Sequence, residues 1–161
     1  MAQTSVSTTH SVAYEGSLGG QPKSVLAGRN NSGSEIPFGR VVVFDSGTGT
    51  SEMAIKLISA STDKFLGFLA ISQDKEPTTT GLADDAIGNV VSQGQVWVIV
   101  EEAVTVGDAV CVRFQSAGSS PEAVGRLRND TDSGDAVALP GVRFLTNAGA
   151  GEACLVEVNL P

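Results

Sequence analysis

Nucleophilic catalysis by a hydroxyl or thiol needs a base beside it, and the sequence holds one histidine, His10. It lies in a polar N-terminal stretch without a structural pattern, which makes it an exposed terminal residue rather than half of a Ser-His or Cys-His pair. One histidine and two distant cysteines, Cys111 and Cys154, do not supply the ligand spacing of a zinc site. Glu101 and Glu102 are adjacent, and neighbours in a strand face opposite sides, so they do not share a proton or a substrate. They read as a solvated strand end. A hydrolase would need carboxylates such as Asp84 and Glu101 to face one cleft, but Asp84-Asp85 reads as a polar turn before Ile87. The run Asn129–Asp135 has the look of a calcium loop. Aligned on Gly134 as the sharp turn, it puts Pro140 where a bidentate glutamate is required, so the register fails. Gly47–Gly49 lacks the lysine and the strand-loop-helix setting of a phosphate cradle and reads as a hairpin turn. Trp97, flanked by valines, reads as core rather than as a platform for bases. Asn30-Asn31-Ser32 and Asn129-Asp130-Thr131 match the glycosylation pattern, but Met1–Ser5 opens neither a basic patch nor an apolar stretch that would send the chain to a secretory route. The inventory predicts no catalytic residue, no cofactor and no metal. It predicts a protein that works through surfaces.

Charge narrows the partners. Of 161 residues, 10 are Lys or Arg and 18 are Asp or Glu, a net charge of −8. Such a surface repels phosphate backbones, so nucleic acid is not an expected partner. No apolar run approaches the roughly 20 residues that span a bilayer, so no membrane is expected either. Synthesis in a cytoplasm that keeps both thiols reduced is the expectation. Glycine accounts for 19 residues and charged residues for 17%, which disfavours helices and suggests strands joined by many turns.

The elements follow from apolar alternation. Residues 1–40 are rich in Ser, Thr, Gly and Asn, and their apolar residues are scattered singly. They carry three basic groups and two acidic ones, a charge of +1, and read as an extended, mostly irregular arm that orders on a partner. Residues 41–161 hold the remaining −9 and read as an all-β body, a compact barrel or sandwich. Strands are predicted at Arg40–Phe44, Phe65–Ile71, Ala109–Phe114, Val124–Leu127, Val142–Leu145 and Ala153–Leu160. Met53–Ile58 suits either a strand or a short helix. Gly67 inside its strand marks a bulge or a close backbone approach. Gln93-Gly94 between two valine runs reads as a hairpin turn. Parity puts Val110, Val112 and Phe114 on one face and Cys111 with Arg113 on the other, whereas Cys154 sides with Val156 and Val158. One thiol then points to the core and one away from it, which disfavours a disulfide.

The order of several short motifs carries more than any one of them. Ile36-Pro-Phe-Gly-Arg40 leads into an apolar strand, and Thr62-Asp-Lys-Phe-Leu-Gly-Phe68 follows. Gly94-Gln-Val-Trp-Val98, Val100-Glu-Glu-Ala-Val104 and Gly107-Asp-Ala-Val-Cys-Val-Arg113 form a third block. Ala138-Leu-Pro-Gly-Val-Arg-Phe-Leu-Thr146 and Ala153-Cys-Leu-Val-Glu-Val-Asn159 complete the succession. It resembles the structural cement, or head decoration, proteins of tailed bacteriophages from about residue 36 onward, and more loosely before it. The resemblance implies a non-enzymatic virion protein, made in the bacterial host cytoplasm. It would bind the outer surface of the expanded head and staple major capsid protein subunits against packaged DNA. It also implies a homo-oligomer, a trimer ahead of a dimer. On that reading the arm supplies the contacts, through Tyr14, Leu18, Val25, Leu26, Ile36 and Phe38, with Arg29 and Arg40 pairing acidic capsid groups. For Ile36 and Phe38 the competing account is membership of the first strand's core. The alternative function is a virion surface module that binds glycans or attaches to the host, which calls for exposed aromatics around a groove.

Overall fold

The structure, a computed structural model, describes residues 13–46, 53–72, 80–115, 118 and 122–160. His10 and the Gly47–Gly49 turn lie outside the described residues. In chain order the strands are β1 (Ser24–Asn30), β2 (Ile36–Pro37), β3 (Val41–Phe44), β4 (Ala54–Leu57), β5 (Phe65–Ala70) and β6 (Gly81–Leu82). They continue with β7 (Ile87–Ile99), β8 (Cys111–Arg113), β9 (Leu127–Arg128), β10 (Ala136–Ala138), β11 (Val142–Phe144) and β12 (Ala153–Asn159), and the one helical turn among the described residues is a 3-10 turn at Asp132–Gly134. The protein is all-β, as expected. Neighbours run β1-β4-β3-β5-β7, and β7 pairs back onto β1, which closes a five-stranded barrel.

Period two sorts the side chains of the barrel into two cores. Val42, Ile55, Leu69 and Val90 pack with Ile36, Phe38 and Leu82 in one apolar cluster. The alternate positions Val41, Val43, Phe68, Ala70 and Val91 join a second, larger cluster with Val96, Val98, Val112, Leu127, Phe144, Cys154, Val156 and Val158. The strands of the barrel wall are therefore apolar on both faces, which is why they read as continuous runs rather than as alternation. Met53–Ile58 resolves as strand, because β4 has main-chain partners in both β3 and β1.

Three predicted features are corrected here. Gln93-Gly94 is no hairpin turn: β7 runs unbroken through it for 13 residues. Its first half belongs to the barrel and its second half pairs with β12 from Gln93 to Ile99. Gly94 sits where the strand passes from one partner set to the other, close against Pro22. Trp97 is half-buried, opposite Leu155 in register, and lies outside the core clusters. Val96 and Val98 take the core side, so parity turns Trp97 to the other face. Residues 24–30, part of the segment read as arm, form a stave of the barrel. Only one isolated bridge, Leu18 to Val96, lies ahead of it among the described residues.

Candidate binding surface

The N-terminal segment is fastened by main-chain bonds before it becomes β1. The N–H of Gly16 donates to Trp97 O (2.8 Å), Trp97 N–H to Ser17 O (2.8 Å), Gly19 N–H to Gln95 O (2.9 Å) and Lys23 N–H to Gln93 O (2.8 Å). Gly16 O also accepts from Ile71 N–H at 2.9 Å, which ties the segment to the end of β5. The crossing at residues 15–16 is tight. Gly16 and Gly39 have φ of +85° and +76°, and a Cβ on Gly39 would stand 2.4 Å from Glu15 Cγ and 2.9 Å from Gly16 N. Glu15 lies 3.2 Å from Arg40 Nε and 3.6 Å from Arg126. Burial pushes the Arg40 pKa down, and the Glu15 charge opposes that shift. Gly39→Ala is expected to cost about 1–3 kcal/mol through backbone strain and the clash. Limited proteolysis should then cut within residues 13–23 while the barrel resists; an unchanged cleavage map would contradict this role for the crossing.

The sequence-derived contact residues divide by burial. Tyr14 is 53% and Val25 43% exposed. Leu18 is half-buried against the larger core, and Leu26 against the smaller one. Arg29 pairs with Asp85 at 2.8 Å. Ile36, Phe38 and Arg40 are buried in the chain's own interior. The competing core account therefore applies to Ile36 and Phe38, and Arg40 is held by Glu15 and by the carbonyl of Val124. The sequence reading passed over Ile87, which is 69% exposed. Its signal was present but weak: an isoleucine after a polar turn looks like the start of a buried strand. With Ala27, Arg29 and Met53 it lines a shallow depression of about 220 Å³ on the outside of the barrel.

The acidic residues singled out in sequence form an internal charge network, which corrects the reading of Glu101 as solvated. Glu101 is 4% exposed and Arg113 1%. Both oxygens of Glu101 accept from Arg113 Nε at 2.9 Å. They also accept from the Ala123 N–H (2.9 Å) and from Arg128 Nη1 (3.2 Å). Arg128 further reaches Glu102, Asp130 and Asp132, and Arg113 also reaches Asp132. Burial works against the charge on Arg113, and hydrogen bonds to Asp132 and Glu101 outweigh it. The run that looked like a calcium loop thus aims Asp130 and Asp132 at guanidinium groups. Among the described residues no cluster of three or more His, Cys, Asp or Glu could hold a metal.

The two thiols are free and buried, Cys154 within the larger core and Cys111 beside the charge network, as parity required. Asn30 of the first glycosylation-like triplet is fully buried, its amide donating to Ser34 O and Leu82 O. Asp84 accepts from the Gly33 N–H, which makes the Asp84-Asp85 turn a strut between loops.

The carboxylates also set an acid limit. The Asp132 N–H holds the Asp130 carboxyl below the usual range, with Arg128 assisting against a small burial effect, and the Thr105 N–H does the same for Asp108. A folded pKa below the unfolded one gives stability that is complete above the unfolded value and is lost as pH falls through the folded one. The melting temperature should therefore hold from neutral pH down to about pH 5 and fall below about pH 4, the range of unperturbed aspartate. Asp130→Asn should flatten that fall; an identical acid profile would exclude Asp130 as a source.

The fold and these surfaces have relatives. A family model described as structural cement protein (E217 gp24/Pam3 gp6) matches residues 2–159. In "The capsid of Myoviridae Phage XM1", one solved chain superposes with a TM-score of 0.71 at 18% identity, over 99% of this chain and 97% of that one. At that identity the likeness speaks for the fold. No curated protein matches the sequence. Nearly the whole length falls within one family model, and by that match the chain belongs to the phage structural cement protein family.

Proposed function

We propose that the protein is a non-enzymatic cement of the phage head, bound to the outer surface of the assembled shell. There it staples neighbouring major capsid protein subunits against the pressure of packaged DNA. The family match over residues 2–159 is the observation that carries this reading. Two physical features support it. A body with a net charge of −9 gains nothing from DNA inside the shell and suits its outside. A rigid barrel with apolar groups exposed at Tyr14 and Val25 offers anchors to a partner without refolding. Residues 1–30 are the contact segment in this proposal, with Tyr14 and Val25 as its exposed anchors. Arg29 contributes at the rim of the contact, where its pair with Asp85 can be exchanged. Copies act as a homo-oligomer, a trimer ahead of a dimer, so that several weak contacts sum to durable attachment.

The test is co-sedimentation with expanded heads assembled without this protein. Saturable binding with a fixed number of copies per head is expected, together with greater resistance of the loaded heads to heat or chelator. Tyr14→Ala should weaken binding about five- to thirty-fold, the effect of removing an aromatic anchor worth 1–2 kcal/mol. A protein that stays in the supernatant at every concentration would overturn the proposal.

A further inference from the structure

Trp97 has no part in either apolar core, and the strand register shows what surrounds it. Its row across the sheet is Trp97, Leu155 and Leu145: Leu155 is opposite Trp97, and the Leu145 N–H donates to Leu155 O at 2.8 Å. The next row on the same face is Gln95, Glu157 and Arg143, and the row on the other side is Ile99 and Ala153. The alternate residues Val96, Val98, Val156 and Phe144 enter the larger core, so these rows form the opposite face of the sheet. Trp97, Leu155, Leu145, Ile99 and Ala153 are half-buried, and none of them belongs to a core cluster or packs against one. Leu18 is bridged to Val96, which sets Ser17 and Gly19 beside Trp97 and Gln95 at the free edge of β7. Both are too small to cover the indole, and a Cβ on Gly19 would stand 2.3 Å from Leu155 Cδ1.

The chemistry of this face selects its partner. An aromatic and aliphatic centre bordered by an arginine has the make-up of a protein interface. A sugar platform would surround the ring with hydrogen-bonding groups, and the row of this ring is leucine. Arg143 and Glu157 pair at 2.6 Å, so their charges cancel on the face, although the body that carries it has a net charge of −9. A second copy can therefore approach here without the repulsion that acidic surfaces exert on each other. The Arg143 side chain is 71% exposed and free to turn toward the glutamate of another copy. The face is self-complementary: it holds both members of the ion pair and a like apolar centre.

We infer that this face packs against the same face of a second copy, with Trp97 at the centre of the contact. Such a contact is isologous and closes at two copies. The inference rests on the homo-oligomer proposed above and selects the dimer. None of its side chains is among Tyr14, Val25 and Arg29, the groups proposed for the capsid.

Trp97 is the sole tryptophan of the chain, so its emission reports on the face directly. The experiment uses the free full-length chain, without heads, from about 1 to about 500 μM, a range suited to a contact only three rows deep. Sedimentation equilibrium gives the mass. The mass should rise from one copy to two, and in step with it Trp97 emission should move to shorter wavelength and become less open to quenching by acrylamide. Arg143→Glu puts two like charges on each face and should weaken association about tenfold or more. Its melting temperature should fall by no more than about 4 °C, since an exposed cross-strand pair is lost. Arg143→Glu combined with Glu157→Arg makes the face neutral again and should restore association. A parent that stays monomeric at the highest concentration, a mass that rises without a change at Trp97, an Arg143→Glu variant that associates like the parent, or a sign-exchanged variant that stays monomeric would each overturn the inference. So would a monomer whose Trp97 is shielded from acrylamide at every concentration, because the chain would then cover the face itself. Binding to expanded heads is a separate measurement: a monomeric parent that still binds them would refute the paired face and leave the cement reading standing.

Discussion

Glu101→Gln should lower the melting temperature by roughly 6–20 °C, the largest loss expected from any single change of a charged residue here. The figure follows from about 3–5 kcal/mol for breaking a buried ion pair by removing one partner, at about 2–4 °C per kcal/mol for a chain of this size. Glu101 receives Arg113, Arg128 and the Ala123 N–H at once, so the neutral amide leaves Arg113 buried without its bidentate acceptor. The amide nitrogen also presents hydrogens where acceptors are required. Asp132 cannot replace the lost charge, because it is already bound by both arginines. Calorimetry reads the result directly. A buried pair is screened weakly by salt, so the loss should be much the same at low and high ionic strength. A shift below about 2 °C would mean that water reaches Glu101 and that the network is worth no more than a surface pair.

The second large effect belongs to Gly67→Ala. Gly67 has φ +156°, and a Cβ there would stand 2.3 Å from the Val91 carbonyl oxygen and 2.8 Å from Val90 Cγ1. Both obstacles belong to β7, and one of them is backbone, so the side chain cannot be accommodated by a rotamer change. The ladder between β3 and β5 shifts register beside this residue, between Val42 and Val43. The methyl group would force β5 away from β7 and open the barrel where the two apolar cores meet. A loss of at least about 3 kcal/mol is expected from the clash and the strained backbone together, read as a lower midpoint in urea or as insoluble protein. Gly33→Ala is the control. Its φ is +75° and nothing lies within 4 Å of the new methyl group, so only the backbone cost of about 1–2 kcal/mol applies. Equal losses at the two positions would remove crowding from the explanation.

Gly67 shows what local pattern can disclose. A glycine inside a run of Phe and Leu has few other uses, and the strand, the bulge and the close approach were all readable from it. The placement of Cys111 and Cys154 was readable for the same reason, since parity acts within one strand. Features that depend on distant partners were not. Gln93-Gly94 has the chemistry of a turn, and only β1 and β12 together hold it extended. Residues 24–30 have weak alternation because Gly28 and Asn30 occupy inward positions. Gly28 lies against Ile55, and the Asn30 amide donates to the Ser34 and Leu82 carbonyls instead of filling the core. Glu101 looked solvated because its partners are 12 and 27 positions away. Trp97 was the avoidable error: valines at 96 and 98 already fixed the core side. Of the contact residues, Tyr14 and Val25 keep exposed area, whereas Ile36, Phe38 and Arg40 are absorbed by the fold's own packing.

The long antiparallel run of residues 16–30 beside β7 has a mechanical meaning. Its bonds begin at Trp97, pass through Gln95 and Gln93, and after one register shift between Ser24 and Val25 continue to Ile87. A tug on the first residues directed along this strand strains the whole row of bonds together, as in a lap joint, so no bond yields alone. The same tug directed outward would peel them one after another at far lower force. Tension reaching the molecule through its N-terminus is thus resisted best along a single axis, and that axis is the direction of β7.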